Sequence, residues 1–257
     1  MFDVTVGFNV TAIAYGRFMG RYSEPLAGEF LPLLRLDPGD RVLDVGCGPG
    51  ALTERLVRVV GATGVAAVDP SEPFVAATRE RLPDIDVRRA PAERLPFGDD
   101  EFDCAAAQLV VHFMKDPVAG LTEMARVTRS GGLIAANVWD HAGGAGPLST
   151  FWHAVAALDP DAADESRLAG ARQGHLVELF GKAGLHDVTE TVLTVRVEYL
   201  DFEQWWNPFT LGVGPAGAYV AKLDEQQRAQ LKAQCASLLP PAPFEIAASA
   251  WTALGRV

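Results

Sequence analysis

The sequence predicts a doubly wound α/β fold, a mostly parallel sheet covered by helices on both faces. Three observations carry this expectation. Short apolar runs alternate with amphipathic helical ones from about residue 40 to residue 140, the first run ends in a glycine-rich turn, and the second ends in Asp69, 19 positions beyond that turn's last glycine. Such alternation builds parallel strands joined by right-handed helical crossovers. Strands buried on both faces read as near-continuous apolar runs.

Residues 1–36 precede the first strand and read as a helical cover, with Ser23 placed as an N-cap and Pro25 in the first turn. Residues 41–45 read as a strand ending in Gly46-Cys47-Gly48-Pro49-Gly50. Residues 51–60 then read as a helix with Leu52, Leu56, Val59 and Val60 on one face. A strand at 65–69 is followed by a helix that Ser71 caps and that runs to about residue 82. Strands follow at 85–89 and 102–109, the latter rich in small residues, as a tightly covered central strand requires. Asp116-Pro117 opens a helix expected to stop at Gly131-Gly132, before a fifth strand at 133–139.

Segments 186–199 and 244–257 read as two closing strands, making seven in all. Two stretches fall outside this repeat, and we read them as cap insertions in a single domain spanning 1–257. The first, 141–170, opens on His141-Ala142-Gly143-Gly144-Ala145-Gly146-Pro147, read as a loop, and continues in a helix carrying Phe151, Trp152 and His153. The second, 201–240, holds Trp205, Trp206 and Phe209, a flexible glycine-rich stretch at 212–217 and a polar helix at about 223–238.

Composition narrows the function classes. With 257 residues, 49% hydrophobic and 21% charged, the chain is long enough for one α/β domain with a full core. Acidic residues outnumber basic ones 33 to 22, for a net charge of −11. Nucleic-acid affinity rests on Lys and Arg neutralising phosphates, so no nucleic-acid partner is expected. Cys47, Cys104 and Cys235 form no CxxC pair and have no histidine at metal spacing, so reduced, unligated thiols and no metal are expected, in a cytoplasmic protein. Residues 1–10 lack the basic-then-apolar pattern of a secretory signal, and no apolar run is long enough to span a membrane. Monomer and homodimer stay equally open.

The glycine turn and the acidic strand end carry the chemistry. Gly46 permits a tight turn, and the absent side chain at Gly48 lets a ligand lie against the backbone. The helix opening after Gly50 adds a partial positive charge. Asp69 would project at the same sheet edge, where a carboxylate accepts both hydrogen bonds of a ribose diol. Two nucleoside cofactors then compete, NAD(P) and S-adenosyl-L-methionine. Ala51 satisfies the third small position of a dinucleotide fingerprint. Asp44, two residues before Gly46, disfavours a pyrophosphate and suits a ligand bearing ammonium and sulfonium charges.

Val42-Leu43-Asp44-Val45-Gly46-Cys47-Gly48-Pro49-Gly50 resembles motif I of the class I S-adenosylmethionine-dependent methyltransferases. Ala90-Pro91-Ala92-Glu93-Arg94-Leu95-Pro96-Phe97 with Phe102-Asp103 resembles that family's next motif, and Thr128-Arg129-Ser130-Gly131-Gly132-Leu133 resembles its fifth-strand entry. The nearest subgroup is the methyltransferase type 11, or ubiquinone/menaquinone-biosynthesis-like, set. The resemblance is strong over about 36–140, and it implies a Rossmann-like seven-stranded sheet and methyl transfer to a small, partly apolar molecule. Carried over by position, it places Asp44 and the Gly46 backbone at the cofactor's amino-acid end, Gly48 and Gly50 in the turn, Asp69 on the ribose and Pro70 along the adenine. Ala92 and Glu93 would border the adenine edge, and Gln108 would lie beneath the methionine portion. Arg21 or Tyr22 would reach the cofactor carboxylate from the N-terminal cover.

Methyl transfer needs alignment in a dry pocket, and a base only where the acceptor loses a proton. His112, just after the fourth strand, is the candidate base, with His153 a weaker one. Trp139, Trp152, Trp205, Trp206 and Phe209 are candidate pocket walls, though aromatics at such positions also serve as core. Two other readings stay open on the sequence: an NAD(P)-dependent oxidoreductase, and a cofactor-binding module without turnover.

Overall fold

A computed structural model describes residues 10–257. The described residues open with α1 (Ala12–Tyr15), pass through a π-helical turn (Gly16–Gly20) and enter α2 (Arg21–Leu34). Strand β1 (Val42–Val45) leads to α3 (Ala51–Val60), β2 (Val65–Asp69) to α4 (Glu72–Arg81), and β3 (Asp86–Arg89) to β4 (Phe102–Gln108). After α5 (Pro117–Val127) come β5 (Thr128–Trp139), α6 (Ser149–Leu158) and α7 (His175–Lys182). Strand β6 (His186–Tyr199) is followed by α8 (Phe202–Trp206), α9 (Gly214–Lys222), α10 (Glu225–Leu238) and β7 (Phe244–Arg256).

The seven strands form one sheet in the order β3-β2-β1-β4-β5-β7-β6. The first five are parallel, and β7 and β6 close the sheet antiparallel. The predicted doubly wound, Rossmann-like architecture is therefore the observed one. Strands β1 and β2 are buried at every position, as helical cover on both faces demands. The run Cys104-Ala105-Ala106-Ala107 keeps β4 narrow between helices. Edge strand β6 instead alternates and is largely exposed, carrying Glu190, Arg196 and Glu198 along its length.

One apolar cluster joins the sheet to α5 and α7, and a second joins it to α2 and α3. A third lies beyond the sheet edge and forms a cap. It gathers Phe18, Tyr22, Phe151, Trp205, Trp206 and Phe209 with the near ends of β6 and β7. Phe151 and Phe209 stack at 4.5 Å, so Trp205, Trp206 and Phe209 build the cap's own core.

Several sequence expectations shift. Among the described residues the first helix of the N-terminal cover begins at Ala12 with Thr11 as its N-cap, and Ser23 is buried inside α2 instead of capping it. Of the segment read as helical cover, residues 1–9 lie outside those described. Helix α5 stops at Val127 because the chain is already paired as a strand from Thr128, with Phe102 opposite. Of the stretch read as flexible at 212–217, residues 214–217 start α9, where Pro215 in the first turn has no N–H to leave unpaired.

Candidate active site

The turn after β1 is built on glycines for two separate reasons. Gly46 has φ +73°, and a β-carbon there would lie 2.3 Å from one Val110 methyl carbon and 2.6 Å from the other. Gly48 has φ +53° and nothing within 4 Å of its missing β-carbon, so its outer side is open. The turn's N–H groups point inward. Those of Gly46 and Cys47 donate to the Val68 carbonyl at 2.8 and 3.0 Å, that of Gly50 to the Cys47 carbonyl, and that of Gly48 to Asp69 Oδ2 at 2.9 Å. Thr78 Oγ1 closes the turn from α4 by donating to the Gly48 carbonyl at 2.7 Å.

Two carboxylates lie beneath this turn. Asp44 is 1% exposed and accepts a 2.6 Å hydrogen bond from Thr53 Oγ1. Burial pushes its pKa up to about 7, against the opposing pull of Thr53 and with a further push from Asp69. Asp69 is also buried, and burial raises it to about 6 although Ser71 N–H and Gly48 N–H both donate to it. The two acids therefore share a low-dielectric pocket, and among the described residues no basic side chain is bonded to either. Across the turn, at the end of β4, Gln108 Nε2 donates to the Ser23 carbonyl at 3.0 Å, while its buried Oε1 has no partner among the described residues.

The other predicted residues distribute as follows. Pro70 is exposed directly after Asp69, and Ala92 is buried on the loop after β3. Glu93 Oε1 accepts from Lys115 N–H at 2.7 Å and Asp116 N–H at 3.3 Å, tying that loop to the start of α5. Arg21 and Tyr22 do not reach the glycine turn. The Arg21 guanidinium lies 5.2 Å over the Tyr199 ring, and the Tyr22 and Tyr199 hydroxyls bond at 2.7 Å, so both side chains anchor the cover to β6. The residue this cover sends toward the turn is Tyr15, missed in the sequence. Its ring meets Phe74 edge-on at 5.2 Å, and burial with the negative field of Asp69 pushes its hydroxyl pKa up.

A cavity opens between this cover, the end of β4 and the cap. Its space, counted together with the open solvent it runs into, comes to about 400 Å³. The walls are mostly apolar, including Tyr15, Phe18, Leu109, Phe113, Trp139 and Leu148. Polar character comes from His112, His141 and Glu165. Burial lowers the pKa of His112 well below the usual range and that of His141 as well, so both rings are neutral at pH 7. Glu165 is 3% exposed and accepts from Trp152 Nε1 at 2.9 Å. Of these three only His112 was a sequence candidate; His141 heads a stretch that reads as loop, and Glu165 lies in an irregular segment with no motif. His153 is exposed on α6 and takes no part in the cavity wall. Trp139 does line it, donating from Nε1 to Met19 Sδ at 3.3 Å.

Among the described residues no group of three His, Cys, Asp or Glu is placed to hold a metal ion, and no helix is long and apolar enough to cross a membrane. Cys47, Cys104 and Cys235 are free and buried.

Residues 43–136 match the family described as "Methyltransferase domain". A demethylmenaquinone methyltransferase of Mycobacterium sp. (strain KMS) is 44% identical over 99 residues, which cover 38% of this chain and 41% of that protein. An uncharacterized methyltransferase of Schizosaccharomyces pombe is 34% identical over 106 residues, covering 37% of this chain and 38% of that protein. The matched part thus spans about two-fifths of either relative. Among solved structures, the Haemonchus contortus phosphoethanolamine N-methyltransferase 2 complex with S-adenosylhomocysteine superposes with a TM-score of 0.60. It is 16% identical, over 95% of this chain and 56% of that one, and so shows the shared fold.

Proposed function

We propose that this chain, whose residues 43–136 match the methyltransferase-domain family, transfers a methyl group from S-adenosyl-L-methionine to a small, partly apolar molecule. One observation carries the choice of cofactor. The glycine turn directs the N–H groups of Gly46, Cys47, Gly48 and Gly50 into its own hydrogen bonds, above two buried acids. A pyrophosphate needs outward N–H groups and no negative charge beneath them. A cation-bearing amino acid joined to a nucleoside is stabilised by the same arrangement.

The residues present fit that group. Gln108 Oε1 is a buried acceptor without a donor, as an ammonium group would satisfy. Open space at Gly48 admits the ligand against the backbone. Asp69 would accept from the ribose hydroxyls, Asp44 would favour the positive amino-acid end, and Pro70 with the Ala92 backbone would border the adenine. When bound, the cofactor supplies an electrophilic methyl on sulfonium sulfur. The chain's own part is to orient and to dry the site. Tyr15 and Phe113 exclude water between the turn and the cavity, and His112, with its unpartnered Nδ1, takes a proton from an acceptor that must lose one. Segments 141–170 and 201–240 serve as the acceptor-side cap of a single cytoplasmic domain without a nucleic-acid partner.

A calorimetric titration tests this. S-adenosyl-L-methionine or its demethylated product is expected to bind in the micromolar range to the intact chain and to be lost in Asp69→Ala. No heat with either compound, or NADH binding that survives Asp44→Ala, would overturn it.

A further inference from the structure

Strand β6 ends the sheet, with β7 on one side and no strand on the other among the described residues. No described backbone group outside β7 bonds to it, so along its outer edge every second residue directs an N–H and a C=O away from the molecule. Edges of this kind are usually short, bulged, or broken by Pro or Lys. This one is long. Its register shift lies at the far end, between His186 and Thr189, and residues 188–198 are mostly Val and Thr without Pro, Gly or Lys. Val192 is 44% exposed on it. Glu190, Arg196 and Glu198 share one face, because side chains alternate along a strand, and their charges are of both signs. Arg196 Nη1 bonds Glu245 Oε1 of β7 at 2.6 Å while its side chain stays 65% exposed.

We propose that β6 is an interface for a second copy of this chain, the two β6 edges pairing antiparallel about a two-fold axis at Leu193. Strand geometry and charge together select that axis. In an antiparallel pair, residues opposite each other both direct their N–H and C=O groups toward the partner strand or both away from it. A two-fold axis therefore passes through a residue and never between two. With the axis at Leu193, Glu190 lies opposite Arg196 of the second copy, and Arg196 opposite its Glu190. Val192 then faces Thr194, and Thr191 faces Val195. An axis at Glu190 or Arg196 sets like charges together, and one at Thr194 sets Glu190 against Glu198. An axis at Val197 opposes Arg196 to Glu198 but runs off the strand after Tyr199. The Leu193 register instead pairs residues 188–198 over roughly 35 Å, with on the order of ten backbone hydrogen bonds. Arg196 stands in it between two carboxylates, its own Glu245 and the second copy's Glu190. Charges that bar a strand of arbitrary sequence thus admit this one. The pairing does not depend on the methyl-transfer reading.

Sedimentation velocity of the intact chain over a concentration series tests this. Wild type is expected to dimerise in the micromolar range. Glu190→Arg and Arg196→Glu each set like charges opposite one another twice, and each should weaken the dimer at least about tenfold. An equimolar mixture of the two variants restores opposite charges at both places, as does the double variant, and both should regain most of the lost affinity. A purely structural role for either side chain would not give rescue by mixing. Circular dichroism melts identify a variant that does not fold, since Glu190 also accepts from Gly174 N–H and Arg196 bonds Glu245. A second measurement needs neither variant: a nitroxide on Glu198→Cys, in a chain whose own cysteines are buried, reads the register by electron spin distance. Glu198 lies five residues from the axis, so the two labels should be about 34 Å apart at 3.4 Å per residue. A wild type that stays monomeric at about 100 μM overturns the proposal. So does a dimer whose label distance falls outside about 30–40 Å, dimerisation of the folded single variants equal to wild type, or a mixture no tighter than its components.

Discussion

Replacing Gly46 by alanine places a methyl group against both Val110 methyls, at 2.3 and 2.6 Å, on a backbone with φ +73°. Two costs combine. A left-handed conformation costs an L-residue about 1–2 kcal/mol, and overfilling a packed contact costs about 1–3 kcal/mol. The variant should therefore lose about 2–5 kcal/mol. At about 2–4 °C per kcal/mol for a domain near this size, its Tm should fall by roughly 4–20 °C. Circular dichroism melts of Gly46→Ala, Val110→Ala and the double variant separate the two costs. Shortening Val110 relieves the contact but not the backbone conformation. The double variant should thus be about 1–3 kcal/mol more stable than the sum of the singles requires. Additivity to within about 0.5 kcal/mol, or a Gly46→Ala melt matching wild type, would refute the close approach between the turn and Val110.

Other expectations follow from buried polar groups. Asp44 at about 7 and Asp69 at about 6 both lie above the ordinary 3.8, so the native state holds protons the unfolded chain has released. Their contribution to stability therefore falls as pH rises from about 4 to 7 and levels off above that; urea unfolding across this range should show a shallower decline in Asp44→Asn. Tyr199→Phe leaves the buried Tyr22 hydroxyl without its 2.7 Å partner and should cost about 1–3 kcal/mol in chemical denaturation. Adding Tyr22→Phe should cost little more. Trp152→Phe removes the donor to the buried Glu165 carboxylate and should destabilise by about 1.5–3 kcal/mol. That loss should shrink in a Glu165→Gln background, and equal losses in both backgrounds would argue against the bond.

The core of the fold was legible because its signals are local. Alternating apolar runs, the Asp116-Pro117 helix start and the glycine turn each depend on a few adjacent residues, and β1, α3 and β6 fall where the pattern puts them. Strand β5 starts earlier than expected because partner pairing with β4 overrides the helix-stopping signal of Gly131-Gly132. That Asp44, Gly46, Gly48 and Asp69 come together was legible for the same reason, since they lie on one turn and its two neighbouring strands. The cap half was not. Arg21 and Tyr22 are drawn to Tyr199, 177 residues beyond Tyr22, and Glu165 meets His141 only through the packing of the cap. Contacts across such distances leave no periodicity or motif in the chain.

Leu109 sits between these halves with a left-handed backbone, φ +61°, unusual for a leucine. Its N–H is held by both the carbonyl and the side-chain oxygen of Asn137, at 3.0 and 3.1 Å, which keeps the bend in place. The bend presses Val110 into the space Gly46 leaves free, and two residues on the chain delivers His112 to the cavity. The glycine turn and the cavity are thus held in register by four consecutive residues, Leu109 to His112. Substitutions in the loops and helices of the cap would leave this register between turn and cavity in place.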